Sequence, residues 1–233
     1  RKHQQARKMP RSKRAKVVAL TQTQKKTREH KSDFVQTVRE KIEEHESVYV
    51  FSYENMRSNK FKNIRMDFSK GEDSSRIFLG KNKLLQMALG KTPEDEFRDN
   101  LRHVSKLISG SVGLLITSRD DKEVKNYLNN FAEEDFARAG NIADREVKVT
   151  SDMLTVHPVN QVEPFRKLGL PVDVNNGKMV LTGGQTEFVL CKEGDVLSAE
   201  VCKLLVHFGL KLAEFRTSLL CRWSNDGTFE QLD

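Results

Sequence analysis

The sequence predicts an α/β fold: a helix-covered mixed sheet as first domain, a smaller α/β insertion domain, and a last strand returning to the first domain. Three observations predict it. From about residue 21 to 131 the apolar pattern switches repeatedly between helical and strand periods. After about Ala139 the segments become short and turn-rich. Leu212–Leu220 then alternates Ala213, Phe215, Thr217 and Leu219 against Glu214, Arg216 and Ser218, which is a half-buried strand.

The elements follow in order. A helix is predicted from about Thr21 to His45, with Phe34, Val35, Val38 and Ile42 on one face. Ser47–Tyr53 is a strand by its β-formers. Ser58 or Asn59 opens a second helix that carries Phe61, Ile64 and Phe68 on one stripe. Arg76–Leu79 is the next strand, and helices follow at about Asn82–Leu89 and Pro93–Ile108. Val112–Thr117 is a third strand, and Asp120–Phe131 a helix with Asp120 or Asp121 near its start. This βαβαβα order implies a parallel or mixed sheet covered by helices. In the turn-rich part, Val147–Thr150, Pro171–Val174, Lys178–Leu181 and Phe188–Cys191 read as short extended pieces, and Asn176-Gly177 as a hairpin turn. Ser198 caps a helix with Val201, Leu204, Leu205 and Phe208, and Gly209 ends it. The expected domains are a basic disordered arm over 1–20, a first domain over 21–139 plus 211–225, an insertion over 140–210 and a tail over 226–233.

Charge is distributed unevenly. Residues 1–31 hold twelve Lys/Arg against one acid, Glu29, a net +11. The whole chain carries +7, so the other 202 residues carry −4. A basic arm on a mildly acidic body suits a polyanion, and equally a nuclear or nucleolar address. The arm lacks the bulky apolar face of a membrane-surface helix, and no apolar run is long enough to span a bilayer. Cys191, Cys202 and Cys221 form no CxxC and read as buried thiols in a reducing compartment.

The most informative stretch is Arg76–Gly90: a short strand, Gly80, the polar triplet Lys81-Asn82-Lys83, and an apolar helical pattern. Asn82 is a candidate N-cap. Two lysines beside the positive end of a helix dipole oppose that dipole, so the turn reads either as an anion site or as two solvated lysines. It is not a nucleotide P-loop. Ser75 stands where the first glycine is required, Asn82 stands in place of Ser/Thr, and Gly90-Lys91-Thr92 has Leu85 upstream. Catalysis finds no support either. The six histidines show no metal spacing, and Asp120-Asp121 and Glu133-Glu134-Asp135 read as caps and solvated faces. No cofactor is expected.

Several segments carry a family resemblance. NIRMDF (Asn63–Phe68), FLGKNKLLQMAL (Phe78–Leu89), SVGLLIT (Ser111–Thr117) and ARAGNIA (Ala137–Ala143) resemble the stalk-base family of the large ribosomal subunit, ribosomal protein L-ten and its eukaryotic form P-zero. KLGLPV (Lys167–Val172), NGKMVL (Asn176–Leu181) and KEGDVLSAE (Lys192–Glu200) resemble that family's inserted domain, and NDGTFEQLD (Asn225–Asp233) its closing segment. MPRSKR (Met9–Arg14) and the arm are most similar to an assembly-factor branch of it. The resemblance implies a non-enzymatic ribosome biogenesis factor. It would bind the ribosomal RNA junction at the GTPase-associated centre of the pre-60S particle and be replaced later by P-zero. The alternatives are a mature P-zero-type stalk-base protein and a protein-interaction module without an RNA role. P-zero continues into stalk-binding helices and an acidic tail, and this chain ends at Asp233, so recruitment of the stalk is not expected of it.

The resemblance places the RNA face at Arg57, Lys60, Lys62, Lys81, Asn82 and Lys83, with Arg11, Lys13, Arg14 and Lys16 of the arm reaching further. Asn55, Asn59 and Asn82 can hydrogen-bond sugar or base edges. Arg138 braces the RNA or pairs with Glu133, Glu134 or Asp135, and Tyr53 stacks on a base or packs in the core. The expected partners are large-subunit ribosomal RNA within the pre-60S particle, a neighbouring stalk-base ribosomal protein and a release factor, with no membrane. The chain is expected as a monomer in the particle, in nucleus and nucleolus, with cytoplasm on exported particles.

Overall fold

The computed structural model describes residues 28–70 and 75–232. The basic arm lies outside them, as do residues 21–27 of the expected first helix. The first domain runs α1 (Arg28–Glu44), β1 (Ser47–Glu54), α2 (Ser58–Ser69), β2 (Arg76–Phe78), α3 (Asn82–Leu89), α4 (Leu101–Leu107), β3 (Val112–Thr117), α5 (Asp121–Asn130) and β4 (Ala132–Asp135). The insertion follows with β5 (Val147–Thr150), α6 (Ser151–Thr155), α7 (Val162–Lys167), β6 (Val172–Asn175), β7 (Lys178–Leu181), β8 (Glu187–Cys191) and α8 (Ala199–His207). The chain then returns through β9 (Ala213–Ser224) and β10 (Phe229–Gln231).

Class, insertion and returning strand are as the sequence predicts. The main sheet has the order β10-β9-β1-β3-β2, with β4 paired to the first residues of β9. Its pairing sense departs from the βαβ reading, because every hydrogen-bonded pair is antiparallel. β1 and β2 do run parallel to each other, but β3 inserts between them and runs against both.

Alternation along the strands divides the sheet into two cores. Val48, Val50, Leu114, Ile116, Cys221 and Trp223 face α1, α3 and α4. Tyr49, Phe51, Leu115, Phe215 and Leu219 face α2 and α5. β1 is therefore buried on both sides, which is why SVYVF reads as a nearly continuous apolar run. β9 keeps its two faces in step with β1 by a bulge between Val50/Cys221 and Phe51/Leu219. Gly113 has no side chain because a Cβ there would meet the Phe51 ring at 2.4 Å.

Four segments differ from expectation. Residues 91–100 are not helical, and α4 begins only at Leu101, after Asn100 in the left-handed region (φ 68°). This stretch is held by tertiary bonds instead: Phe97 N donates to Leu89 O at 3.0 Å and Trp223 Nε1 to Asp99 O at 2.9 Å. The acidic run Ala132–Asp135 is a strand, because β9 offers it a free edge that outweighs its poor β-propensity. The tail expected over 226–233 contains β10, paired to β9 from Phe229↔Trp223 to Gln231↔Cys221. In the insertion, α6 and α7 close a small core around Phe165, Leu154 and Met179, with Asn176-Gly177 (φ 50° and 74°) turning the β6–β7 hairpin as expected.

Candidate nucleic-acid interface

One end of the main sheet gathers most of the residues the sequence singles out. β1 and β2 leave the sheet there and β3 enters it, as the registers Ser52↔Val112 and Phe78↔Leu114 require. Tyr53 N donates to Ser111 O at 3.1 Å, and Asn82 Nδ2 donates to Gly110 O at 2.9 Å. The N-termini of α2 and α3 thus emerge at the same end of the sheet, α3 from one face and α2 from the other. Both bring unbonded N–H groups and the positive end of a helix dipole to this surface. α1 starts here too: Phe34 lies 3.0 Å from where a Cβ on Gly80 would sit and packs edge-on against Phe78. The chain preceding Arg28 therefore enters the described fold at this end, and Arg28 and Lys31 are exposed beside it. No local signal in the sequence carries that placement, which depends on α1 packing back along β1.

Lys81 is the N-cap of α3 with no side-chain cap bond, and Asn82, expected as the cap, is the first helical residue. Asn82 uses its amide to hold the Gly110 loop instead. Lys81 and Lys83 are exposed, as are Asn59 and Lys62 on α2, and none of the four has an ion-pair or side-chain hydrogen-bond partner among the described residues. The turn therefore presents cations that the fold itself does not neutralise. The Glu44–Glu46 and Asp120–Asp121 acids lie at the opposite end of the sheet, where Asn225 N bonds Glu46 O at 2.8 Å.

Arg57, Lys60, Asn55 and Arg138 have partners within the protein. Arg57 Nη2 donates to Phe136 O at 2.9 Å, and its Nε lies 3.5 Å from Asp135 Oδ2, a buried oxygen that makes no hydrogen bond. Lys60 Nζ lies 3.1 Å from Glu133 Oε2 and also donates to Glu134 O. Arg138 Nη2 donates to Met56 O at 3.3 Å, and none of the three expected acids is its partner. Asn55, at φ 51°, donates to Glu214 O and accepts from Asn141 Nδ2 at 2.9 Å. Together they brace the start of α2 against β4 and the root of the insertion. Tyr53 packs on the α2–α5 core beside Phe51.

A stability difference follows from this division. Arg57→Ala removes a hydrogen bond to a carbonyl and strands the Asp135 carboxylate, at a cost of about 2 kcal/mol. Thermal unfolding is expected to show this as a Tm lower by about 5 °C. Lys62→Ala, which breaks nothing inside the protein, is expected to stay within about 0.5 kcal/mol of the parent.

Metal-ligating and nucleophilic groups are sparse among the described residues. Among the described residues no group of three or more His, Cys, Asp or Glu could hold a metal ion. All three cysteines are buried, and burial pushes the Cys191 and Cys202 thiols up, away from the reactive thiolate. A cleft of about 660 Å³ beside Asn55 is lined by both signs of charge, including Glu54, Glu134, Asp144, Arg145 and Lys211, and converges on no single chemistry.

Comparison with known proteins matches two family models to successive parts of the chain. A family model described as ribosomal protein L10 matches residues 26–133. A second model, for the insertion domain of the 60S member, matches residues 137–210. The chain is 42% identical over 231 residues to the ribosome assembly factor mrt4 of Neurospora crassa, covering 93% of this chain and 90% of that protein. It is 38% identical over 234 residues to the ribosome assembly factor mrt4 of Schizosaccharomyces pombe, covering 94% and 93%. Similarity to the large ribosomal subunit protein uL10 of Oxybasis rubra is lower, 26% over 183 residues, covering 78% of this chain and 55% of that protein.

Proposed function

The chain belongs to the ribosomal protein L10 family and, within it, to the Mrt4 ribosome assembly factors, and we propose that it binds the stalk-base ribosomal RNA junction of the pre-60S particle as a placeholder for P-zero. One observation carries the RNA part of this reading. Lys62, Lys81 and Lys83 have no neutralising partner among the described residues, at the sheet end where two helix N-termini also point. Phosphate is the ligand that satisfies both features at once. A folded junction displays backbone at several angles, and an end with three cations and the unengaged amide of Asn59 reads shape and backbone, while Asn82 holds the Gly110 loop in place. Arg57, Lys60, Asn55 and Arg138 serve in this account as the frame that holds α2 in place.

The arm extends the same surface. Arg11, Lys13, Arg14 and Lys16 precede α1 in the sequence and supply further cations for phosphate. The placeholder role rests on the relatives: high identity over nearly the whole length to assembly factors, and lower, partial similarity to the mature uL10 protein. The same placement implies work in the nucleus and nucleolus, with exported particles carrying the protein to the cytoplasm. The insertion is rooted beside Asn55 at the same cationic end, and its outer part is available to a neighbouring ribosomal protein or a release factor.

Binding of the full chain to a transcript of the stalk-base junction, titrated with salt, tests the reading. Affinity is expected to fall linearly in log K against log salt. Deleting residues 1–20 is expected to weaken binding and flatten that slope, since each lost phosphate contact removes close to one unit of slope. An unchanged slope after the deletion excludes the arm from the interface.

A further inference from the structure

α3 and α4 lie side by side on the sheet face that buries Trp223. Between them is a pocket of about 170 Å³ lined by Gln86, Lys91, Arg102, Ser105 and Lys106. Lys91 and Lys106 are exposed and have no ion-pair partner among the described residues. Arg102 is fixed in position by Glu96: Nη1 donates to Oε1 at 2.9 Å, and the Arg102 backbone N–H to Oε2 at 3.3 Å. Gln86 is likewise held, its Nε2 donating to Ile108 O at 3.0 Å. Ser105 is only 2% exposed, lines the pocket, and makes no side-chain hydrogen bond to any described residue. Glu96 offsets Arg102, which leaves a net excess of two positive charges, those of Lys91 and Lys106, around the Ser105 hydroxyl that lines the pocket.

We propose that this pocket is a second phosphate site, formed by Lys91, Lys106 and the Ser105 hydroxyl, and that it takes a backbone phosphate of the same RNA. The proposal rests on the RNA reading above and extends its track. Lys83 and Met87 stand one turn apart on one stripe of α3, and Lys91 follows two residues past the helix end, after Gly90 at φ 92°. The six steps from Lys83 to Leu89 rise about 9 Å along α3, so an RNA strand reaches from the turn to the far end of the helix, where Lys91 follows, in a few nucleotides. Met87, 57% exposed, leaves an open apolar path between the two cationic points. A neutral or apolar ligand leaves both lysines unpaired. A polymer fits better than a lone divalent anion, because Lys83 at the start of α3 and Lys91 just past its end offer two cationic points that one polyanion can bridge.

The full-length protein with Lys91→Gln and Lys106→Gln, compared with the parent on the stalk-base junction transcript, tests this. The pair is expected to lose roughly ten- to thirtyfold in affinity near 0.15 M salt, with a salt slope shallower by about two contacts. Ser105→Ala, which removes no charge, is expected to weaken binding without altering the slope. If the double variant binds with the parent's affinity and slope while Lys81→Glu with Lys83→Glu does not bind, the pocket proposal is overturned and the RNA reading stands. If the parent itself ignores the transcript, both fall.

Discussion

Replacing Lys81 and Lys83 together by glutamate is expected to abolish association with the precursor large subunit while leaving the fold intact. The substitution turns +2 into −2 at the α3 N-terminus, where no partner in the described protein contacts either lysine. Repulsion of phosphate replaces attraction at the centre of the interface, and two released counterions are lost from binding. The helix itself is expected to gain, since acidic residues in a first turn complement the dipole by about 0.3–1 kcal/mol each. Loss of binding therefore cannot come from unfolding. Gradient sedimentation of the tagged variant, alongside its melting curve, checks both halves. A variant that melts like the parent and still travels with the precursor removes the turn from the RNA site.

Trp223→Ala is expected to carry the largest stability cost, about 3–5 kcal/mol. Trp223 is fully buried in the α1–α3–α4 core, at the register position between Val48 of β1 and Phe229 of β10. Its indole N–H holds Asp99 O at 2.9 Å and so fixes the irregular 91–100 segment. Truncation opens a cavity and frees that segment together. The corresponding fall in Tm is about 10 °C. Trp223→Phe, which keeps most of the volume but loses the hydrogen bond, is expected to cost about 1–2 kcal/mol. A Tm within about 2 °C of the parent for the alanine variant contradicts the place of β9 in the core.

How far the sequence foretold this structure depends on whether the determinants are local. α2, α3, α5 and β3 were legible because their apolar spacing repeats within one element. Asn176-Gly177 and Ser198 carried their turn and cap in a few residues; Ser198 Oγ accepts from Val201 N at 3.3 Å. β4 was hidden, because AEED becomes a strand only through β9, some eighty residues later. The same holds for residues 91–100, whose bonds reach Trp223, and for the insertion of β3 between β1 and β2.

At the interface, Lys81 and Lys83 could be picked out because their position beside a helix start is locally unfavourable. Arg57, Lys60 and Asn55 could not be separated from them. Sequence shows a charge or an amide, but their partners, Phe136 O, Glu133 and Glu214 O, lie far along the chain. What a side chain already holds decides whether it is free for a ligand, and that is settled by tertiary packing.

Crosslinking the tagged full-length protein to RNA in cells, followed by sequencing of the captured RNA, tests the central claim most directly. The account predicts reads concentrated at the stalk-base junction, accompanied by unprocessed spacer of precursor ribosomal RNA. Junction reads with mature ribosomal RNA alone contradict the placeholder role, and no enrichment at the junction contradicts the RNA interface itself.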